Sequence, residues 1–284
     1  MTNSLEAPIF EGVKPELLSS AEVARMLGVS AASIKRWADA GVLPCEKTAG
    51  LHRRFRRDVV DRFRHASAPP GDAGGTTLGG RDGEAWADDL LDFEQPEYSL
   101  VGNLMSARGE LGSWWRVADR LGPALTALGR RWQRDQITVA DEHRASERFS
   151  RVIARVCEWM PTHASPPRCL LAAATGDEHT LGLSLVELCL RERAWAPVWI
   201  GRSAPLAHIA EAVARYDVRL VALSASSVPH GSTLRDQAER LGLACSAHGV
   251  QLVLGGSGAW PERPVYGSVV RDFGTFSELL ATLS

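Results

Sequence analysis

Long apolar runs are what this sequence most lacks: none approaches the ~20 residues needed to span a bilayer. The N-terminus also lacks the basic-then-apolar layout of a secretory leader, so a cytoplasmic protein with no membrane partner is expected. Cysteine is scarce. The five present, Cys45, Cys157, Cys169, Cys189 and Cys245, are an odd number with no Cys-x-x-Cys pair. That pattern offers neither a disulfide frame nor a thiolate zinc site, and the thiols read as small core residues. No Ser-His-Asp set, phosphate loop or paired-carboxylate site stands out, so an enzyme is not expected. Net charge is also small, at -2, while a 45% hydrophobic composition over 284 residues is ample for two or three modules.

Charge is nevertheless uneven along the chain. Residues 17–66 carry ten Lys/Arg against five acids, and a basic end of this kind suits a polyanion. A serine before Ala21-Glu22-Val23-Ala24-Arg25-Met26-Leu27 can cap a short helix, and Gly28-Val29-Ser30 then makes a turn. Ser30 can cap a second helix over 31–40, with Ile34 and Trp37 inward and Ser33, Lys35 and Arg36 outward, stopped by Gly41. Two short helices across a glycine turn, the second polar and basic, are what a helix-turn-helix needs to enter the major groove. The stretch Gly41-Val42-Leu43-Pro44, followed by Thr48-Ala49-Gly50-Leu51-His52-Arg53-Arg54-Phe55, resembles the wing of MerR-type regulators. Taken singly, each arginine is a solvated surface charge. The ordered set implies a winged helix-turn-helix on double-stranded DNA, with Ser33, Lys35 and Arg36 on its second helix and His52, Arg53 and Arg54 on its wing. Residues 58–64 read as a closing helix, and 1–16 as a tail.

Residues 67–83 are rich in Gly and Pro and too polar to bury a core, so they read as a flexible linker. A helical pattern follows over 84–163, with turn signals at Gln95-Pro96, 109–112 and Asp135-Gln136. Four candidate helices result, and a four-helix bundle is the simple reading. Thr138 with an acid three residues on is a helix start. This segment holds five of the nine tryptophans, Trp86, Trp114, Trp115, Trp132 and Trp159, which can fill a core or line a pocket.

From 167 to 284 the pattern alternates. Strand-like runs at 169–174, 197–200, 220–224, 251–254 and 266–270 are separated by helical patterns beginning near Leu181, Pro205, Thr233 and Phe273. This βαβ order predicts a doubly wound, Rossmann-like α/β domain of the flavodoxin type, whose ligands gather at the carboxyl ends of its strands. Three polar turns fall at such ends: Asp177-Glu178-His179-Thr180-Leu181-Gly182, Ser224-Ala225-Ser226, and Gly255-Gly256. The first fits Asp-x-His-x-x-Gly; 41 residues separate Gly182 from Ser224, and 28 separate Ser226 from Gly255. This spaced set resembles that of cobalamin-binding Rossmann-like domains, with Ser-Ala-Ser in place of their Ser-x-Leu.

The resemblance implies that His179 is the lower axial ligand of cobalt, with Asp177 on its other ring nitrogen and Glu178 and Thr180 in the same loop. It also implies that Gly182, Ser224, Ser226, Gly255 and Gly256 line the slot for the nucleotide tail. Trp132, followed after nine residues by Glu142-His143, adds a second set. Together with the wing, it resembles the CarH-type light-sensing transcriptional repressors, which use adenosylcobalamin. That likeness implies a repressor whose cobalamin-linked oligomer state, homodimer or homotetramer, controls its DNA binding. Trp132 would then pack against the upper axial group, Glu142 would hydrogen-bond the adenosyl ribose, and His143 would support that face. Gln133 stands where the family carries a histidine that captures cobalt after photolysis, so a different final state is expected here. Some relatives of this fold also bind a linear tetrapyrrole such as biliverdin, and the aromatic bundle has room for one. Two alternatives stand beside this reading: a corrinoid methyl-carrier protein, and a regulator that senses a bilin or another ligand with His179 or His230 as polar lining.

Overall fold

The computed structural model describes residues 16–27, 43–48, 50, 52–61, 83–226 and 231–283, with residues 31, 34, 35 and 38 in between. The expected turn at Gly28–Ser30, the side chains of Ser33, Arg36 and Trp37, most of the linker, and His230 lie outside these residues. By contacts the chain divides into two compact units, 1–68 and 69–284.

In the first unit, β1 (Leu17–Ser19), β2 (Glu46–Lys47) and β3 (Arg53–Arg56) form an antiparallel sheet in the order β1-β3-β2, with Leu18 opposite Phe55 and Glu46 opposite Arg54. The sequence pattern did not announce β1. It exists because Leu18, Val23, Ile34, Leu43, Phe55 and Val60 close over one small core. Helix α1 (Ser20–Leu27) starts from a reciprocal cap: the Ser19 backbone N–H donates to Glu22 Oε2 (2.7 Å), and the Glu22 N–H donates to Ser19 Oγ (3.3 Å). Residues 57–61 are helical, in line with the expected closing helix.

The second unit opens with α2 (Gly83–Leu91), α3 (Glu97–Leu111), α4 (Trp114–Gln133) and α5 (Val139–Glu158), which pack on one another. Apolar side chains recur at helical spacing on α4 (Val117, Leu121, Ala124, Leu128) and on α5 (Ala145, Phe149, Val152, Val156), and these are the buried faces. Thr138 caps α5 as its sequence foretells, exchanging hydrogen bonds with Asp141 in both directions. Arg148, 5% exposed, points into this layer and donates to the carbonyls of Leu90 (3.2 Å) and Asp92 (2.6 Å). It thereby satisfies carbonyls left over at the end of α2.

Strands β4 (Arg168–Ala173), β5 (Ala196–Gly201), β6 (Leu220–Ser224), β7 (Gln251–Gly255) and β8 (Ser268–Val269) build a parallel sheet in the order β5-β4-β6-β7-β8. They alternate with α6 (Leu181–Glu192), α7 (Leu206–Arg215), α8 (Gly231–Ala247) and α9 (Phe273–Leu283). Strand order reverses between β4 and β6, and the crevice at a doubly wound sheet's reversal is its natural ligand site. One core joins Leu170, Ala172, Val221, Leu223, Leu252 and Leu254 of the sheet to α7 and α8.

Helix α6 is covered on its outer side by α4 and α5, and α9 also packs on α4 and α6. Two carboxylates fasten this junction. Glu192, at the end of α6, accepts the first backbone N–H of α4 (Trp114, 2.9 Å) and the Arg108 guanidinium (3.1 Å). In return, Asp119 of α4 accepts the first N–H of α9 (Phe273, 3.0 Å). Burial, only partly offset by that bond, raises the Asp119 carboxyl above its ordinary range. We expect Glu192→Ala to cost about 1–2 kcal/mol, as for loss of a strong N-cap, read from the urea midpoint.

Four of the cysteines are buried and Cys45 is half-buried. Burial pushes the Cys245 thiol up to about 12, and the thiols of Cys157, Cys169 and Cys189 well above the usual range. A thiol reagent at neutral pH should therefore modify Cys45 alone in the native protein and all five after denaturation. Rapid modification of more than one native thiol would contradict this packing.

Candidate functional site

The loop that leaves β4 is held by hydrogen bonds to its neighbours on both sides. The Ala174 N–H donates to Ser224 O (2.8 Å) and the Asp177 N–H to Ala174 O (2.9 Å), closing a turn at the crevice. Asp177 is 1% exposed, yet its carboxylate is well provided for. Its Oδ1 accepts from the His179 N–H (3.0 Å) and pairs with His179 Nδ1 (2.8 Å), while Oδ2 accepts from the Ser226 backbone N–H. Burial raises this carboxyl, but the bonds from Ser226 and His179 outweigh it and leave the group below its ordinary range, ionised at neutral pH. An ionised acceptor at Nδ1 favours the tautomer with its proton there, which leaves Nε2 as the nitrogen that can serve as a ligand. The His179 side chain is 64% exposed.

The surroundings of His179 limit what it can bind. Among the described residues, no group of three or more His, Cys, Asp or Glu could hold a metal ion. A lone imidazole backed by a carboxylate suits a transition metal that brings its other ligands with it, as in a macrocycle. The glycines point the same way. A Cβ on Gly182 would lie 3.7 Å from Ser224 Oγ, an ordinary contact, so nothing in the protein itself demands glycine in this first turn of α6. Alanine would favour the helix there by about 1 kcal/mol. Glycine leaves the space beside the Ser224 hydroxyl unfilled. Gly256 differs: with φ +80, an added Cβ would overlap the Ala225 carbonyl and come within 2.9 Å of Ser224 Oγ. The two glycines flank the same hydroxyl.

Asp177, His179 and Ser226 therefore form one hydrogen-bonded group, with Gly182, Ser224 and Gly256 gathered beside it. Glu178 turns away to accept from the Ser203 hydroxyl, Thr180 precedes α6 without a side-chain cap bond, and Gly255 continues β7. The Ser226 amide is taken up by Asp177 and so locks the loop. Trp132, Gln133, Glu142 and His143 lie around the α4–α5 connection, where Trp132 is 45% exposed and Gln133 is exposed too. Glu142 is set by two bonds, from Ser146 Oγ (2.7 Å) and with His143 Nδ1 (2.6 Å). No hydrogen bond of this second group reaches the His179 loop.

Sequence reasoning missed several supports. Gln237 holds Thr175 at the start of the loop, while Trp260 Nε1 (2.7 Å, to Gly255 O) and Arg271 (to the carbonyls of Gly256 and Gly258) brace the glycine turn. Ser146 was missed too. Being four residues after Glu142, on the same helix face, it is the one such support a spacing argument could have found.

In the first unit, Lys35, His52, Arg53 and Arg54 line one shallow open cleft together with Ser19 and Ser20. Residues 48 and 52 close the turn between β2 and β3 through Thr48 N–H to His52 O (2.9 Å). By contrast, Arg56 and Arg57 are engaged with Asp58, and with Glu16 and Asp61.

Comparison with known proteins agrees with this division. Residues 17–66 match the helix-turn-helix domain family, while residues 117–156 and 167–280 match two B12 binding domain families. The chain is 28% identical over 191 residues to the HTH-type transcriptional repressor CarH of Myxococcus xanthus, covering 64% of this chain and 61% of that protein. In sequence the chain is thus similar to an HTH-type transcriptional repressor. Over 164 residues it is likewise 28% identical to the repressor CarA of the same organism, covering 57% of this chain and 54% of that one. It thus spans less than two thirds of the length of either relative. In fold, the monomethylamine corrinoid protein of Methanosarcina barkeri superposes with a TM-score of 0.53 at 15% identity, over 70% of this chain and 96% of that one. No helix among the described residues is long and apolar enough to cross a membrane.

The two glycines make separable predictions. Gly182→Ala should leave thermal stability unchanged or slightly raised while weakening cobalamin uptake, because the methyl enters the space beside Ser224. Gly256→Ala should lower stability itself by about 1–3 kcal/mol, the cost of a strained backbone. Calorimetry of both apoproteins, with cobalamin titrations, separates the two; parental affinity in Gly182→Ala would show that the space beside Ser224 is not the binding slot.

Proposed function

We propose that the chain is a cobalamin-dependent transcriptional repressor in which light or ligand state is read by the second unit and expressed by the first. The observation that carries this reading is the buried Asp177 carboxylate holding an exposed His179 at the reversal of the sheet, in a chain that also has a helix-turn-helix domain. His179 Nε2 would be the donor to cobalt, with Asp177 accepting from Nδ1 and so orienting the ring. Gly182, Ser224, Gly255 and Gly256 would accept the nucleotide tail, and Glu178, Thr180 and Ser226 would shape the loop around it. When bound, cobalamin supplies an axial bond to cobalt that light can break.

In this reading, helices α2–α5 act as a four-helix cap, with the domains divided at 17–66, 67–83, 84–163 and 167–284. Helix α4 is fastened at its start to the far end of α6, and its last turn is held to α2 by Arg130 and Arg131, which pair with Glu84 and Asp88. Twenty residues of α4 run about 30 Å and the twelve of α6 about 18 Å. That end, with Trp132 and Val139 (51% exposed) beside it, would overhang the His179 loop and cover the bound corrin. Glu142, already set by Ser146 and His143, would present its carboxylate to an adenosyl group. Gln133 cannot replace a histidine as a cobalt donor, so His179 would remain the sole protein ligand after the upper group is lost. A linear tetrapyrrole beside the bundle is a further option for the same aromatic surface.

The first unit would act as a MerR-type winged module, with Lys35, His52, Arg53 and Arg54 on DNA phosphates, supported by their shared cleft. Self-association of tethered modules would multiply operator affinity through effective concentration. A cytoplasmic location follows from this role. The methyl-carrier alternative is favoured by the corrinoid-protein fold likeness, but it leaves the basic wing without a task.

The test is reconstitution with adenosylcobalamin in the dark, followed by illumination, with absorption, light scattering and operator gel shifts recorded at each stage. The expected outcome is a light-dependent spectral change together with altered mass and loss of DNA binding. His179→Ala should remove the protein nitrogen from cobalt and weaken cobalamin binding at least ten-fold, in the range of 10–100-fold seen when metal-site partners are lost. DNA affinity should fall steeply with salt, as phosphate contacts require. Unchanged mass and DNA binding on illumination would sink the photoreceptor version, and parental spectra in His179→Ala would sink the ligand assignment.

A further inference from the structure

The His179 loop begins at Thr175, and what holds Thr175 lies 62 residues away in sequence. Gln237 sits on α8 with 3% of its surface exposed. Its amide makes a reciprocal pair with the backbone of Thr175: the Thr175 N–H donates to Gln237 Oε1 (2.8 Å), and Gln237 Nε2 donates to Thr175 O (3.2 Å). Both main-chain groups of one residue are thus satisfied by one side chain, in the manner of a strand partner. The Thr175 hydroxyl goes in a third direction, to Ala204 O (2.9 Å) in the loop between β5 and α7.

These bonds matter because of where Thr175 lies. Ala174, the residue before it, is tied to β6 through Ser224 O, and Asp177, two residues on, carries the carboxylate that orients His179. No strand continues past Ala173, so no ladder bond fixes Thr175. Without Gln237 the Thr175 amide and carbonyl would lose their partners, a cost that loosening of the loop would relieve. A loop free to shift by an ångström would carry the Asp177–His179 pair with it.

We infer that Gln237 is a positioning residue for the cobalt ligand, acting from α8 through the backbone of Thr175 to hold the His179 loop in its ligating geometry. This rests on the proposed role of His179. Asn103 gives a matched control: it is also 3% exposed and hydrogen-bonded (to Asp89, 3.2 Å), but it lies in α3.

The experiment uses the full chain and its Gln237→Leu, Gln237→Glu and Asn103→Ala variants. Hydrogen exchange of the unliganded proteins reports on residues 174–179, and titration with cobalamin gives the affinity. Electron paramagnetic resonance of the cobalt(II) form, made with 15N-histidine, reports whether a protein imidazole is bound. Gln237→Leu should exchange faster in the loop while β4 and β6 keep parental protection. It should also bind cobalamin about ten-fold more weakly, the lower end of the effect of removing a ligand's support, and show a reduced 15N-imidazole signature. Gln237→Glu keeps an acceptor for the Thr175 N–H but loses the donor to its carbonyl, so it should fall between Gln237→Leu and the parent. It carries the test if the leucine variant fails to fold.

Parental loop exchange and a parental imidazole signature in the Gln237 variants would overturn the inference. So would an equal loss of the signature in Asn103→Ala, which would mean general destabilisation. If the parent itself takes up no cobalamin, the proposed function fails instead, and the exchange rates of 174–179 still decide whether Gln237 holds the loop.

Discussion

The second unit depends on a carboxylate that should not be comfortable where it is. Asp177 is removed from water at the mouth of the sheet, and an ionised acid there is tolerated only when hydrogen bonds replace its hydration. The replacements come from separate elements: the His179 amide and ring within its own loop, and the Ser226 amide at the end of β6. Solvating Asp177 thus joins the ends of the two strands between which the sheet order reverses. The same arrangement fixes the tautomer of His179. One interaction serves the fold and the chemistry together.

A second constraint sets the helical layer against the sheet. Helix α6 lies beneath α4 and α5 with α9 packed beside it, and where α4 and α9 begin their first backbone N–H groups need partners from other elements. Glu192 caps α4 from the end of α6, and Asp119 of α4 caps α9 in turn. The helices and the sheet are held as one unit by charge-to-backbone bonds of the kind that orientation alone can satisfy. A change at the α4–α5 end and a change at the sheet therefore have a common mechanical base. The first unit is a separate compact body.

Much of this architecture is legible in the order of residues alone. Alternating apolar runs announced β4 to β7 and the helices between them to within about two residues, because each strand buried on both faces is a short continuous apolar run. The final strand is shorter than its pattern suggests, 268–269 rather than 266–270. Thr138 and Asp141 foretold the start of α5, since a capping box is local chemistry. Asp177 and His179 were legible as a pair for the same reason: two residues apart, they need no distant element to meet. β1 was not legible, because three residues become a strand only when β3 is present to pair with them.

The sequence by itself determined the order of the modules, the basic character of residues 17–66, the His179 loop with its spaced serines and glycines, and the likeness to cobalamin-binding regulators. All of these reside in local pattern or in spacing along the chain. Only the tertiary structure decided that β4 lies between β5 and β6, that the Ser226 amide is spent on Asp177, and that Glu192 caps a helix 78 residues away. It alone placed Gln237 behind Thr175, 62 residues distant. The physical reason is common to these cases. A buried polar group must find a partner, but which one it finds depends on how the chain has folded back, and no periodicity records that choice.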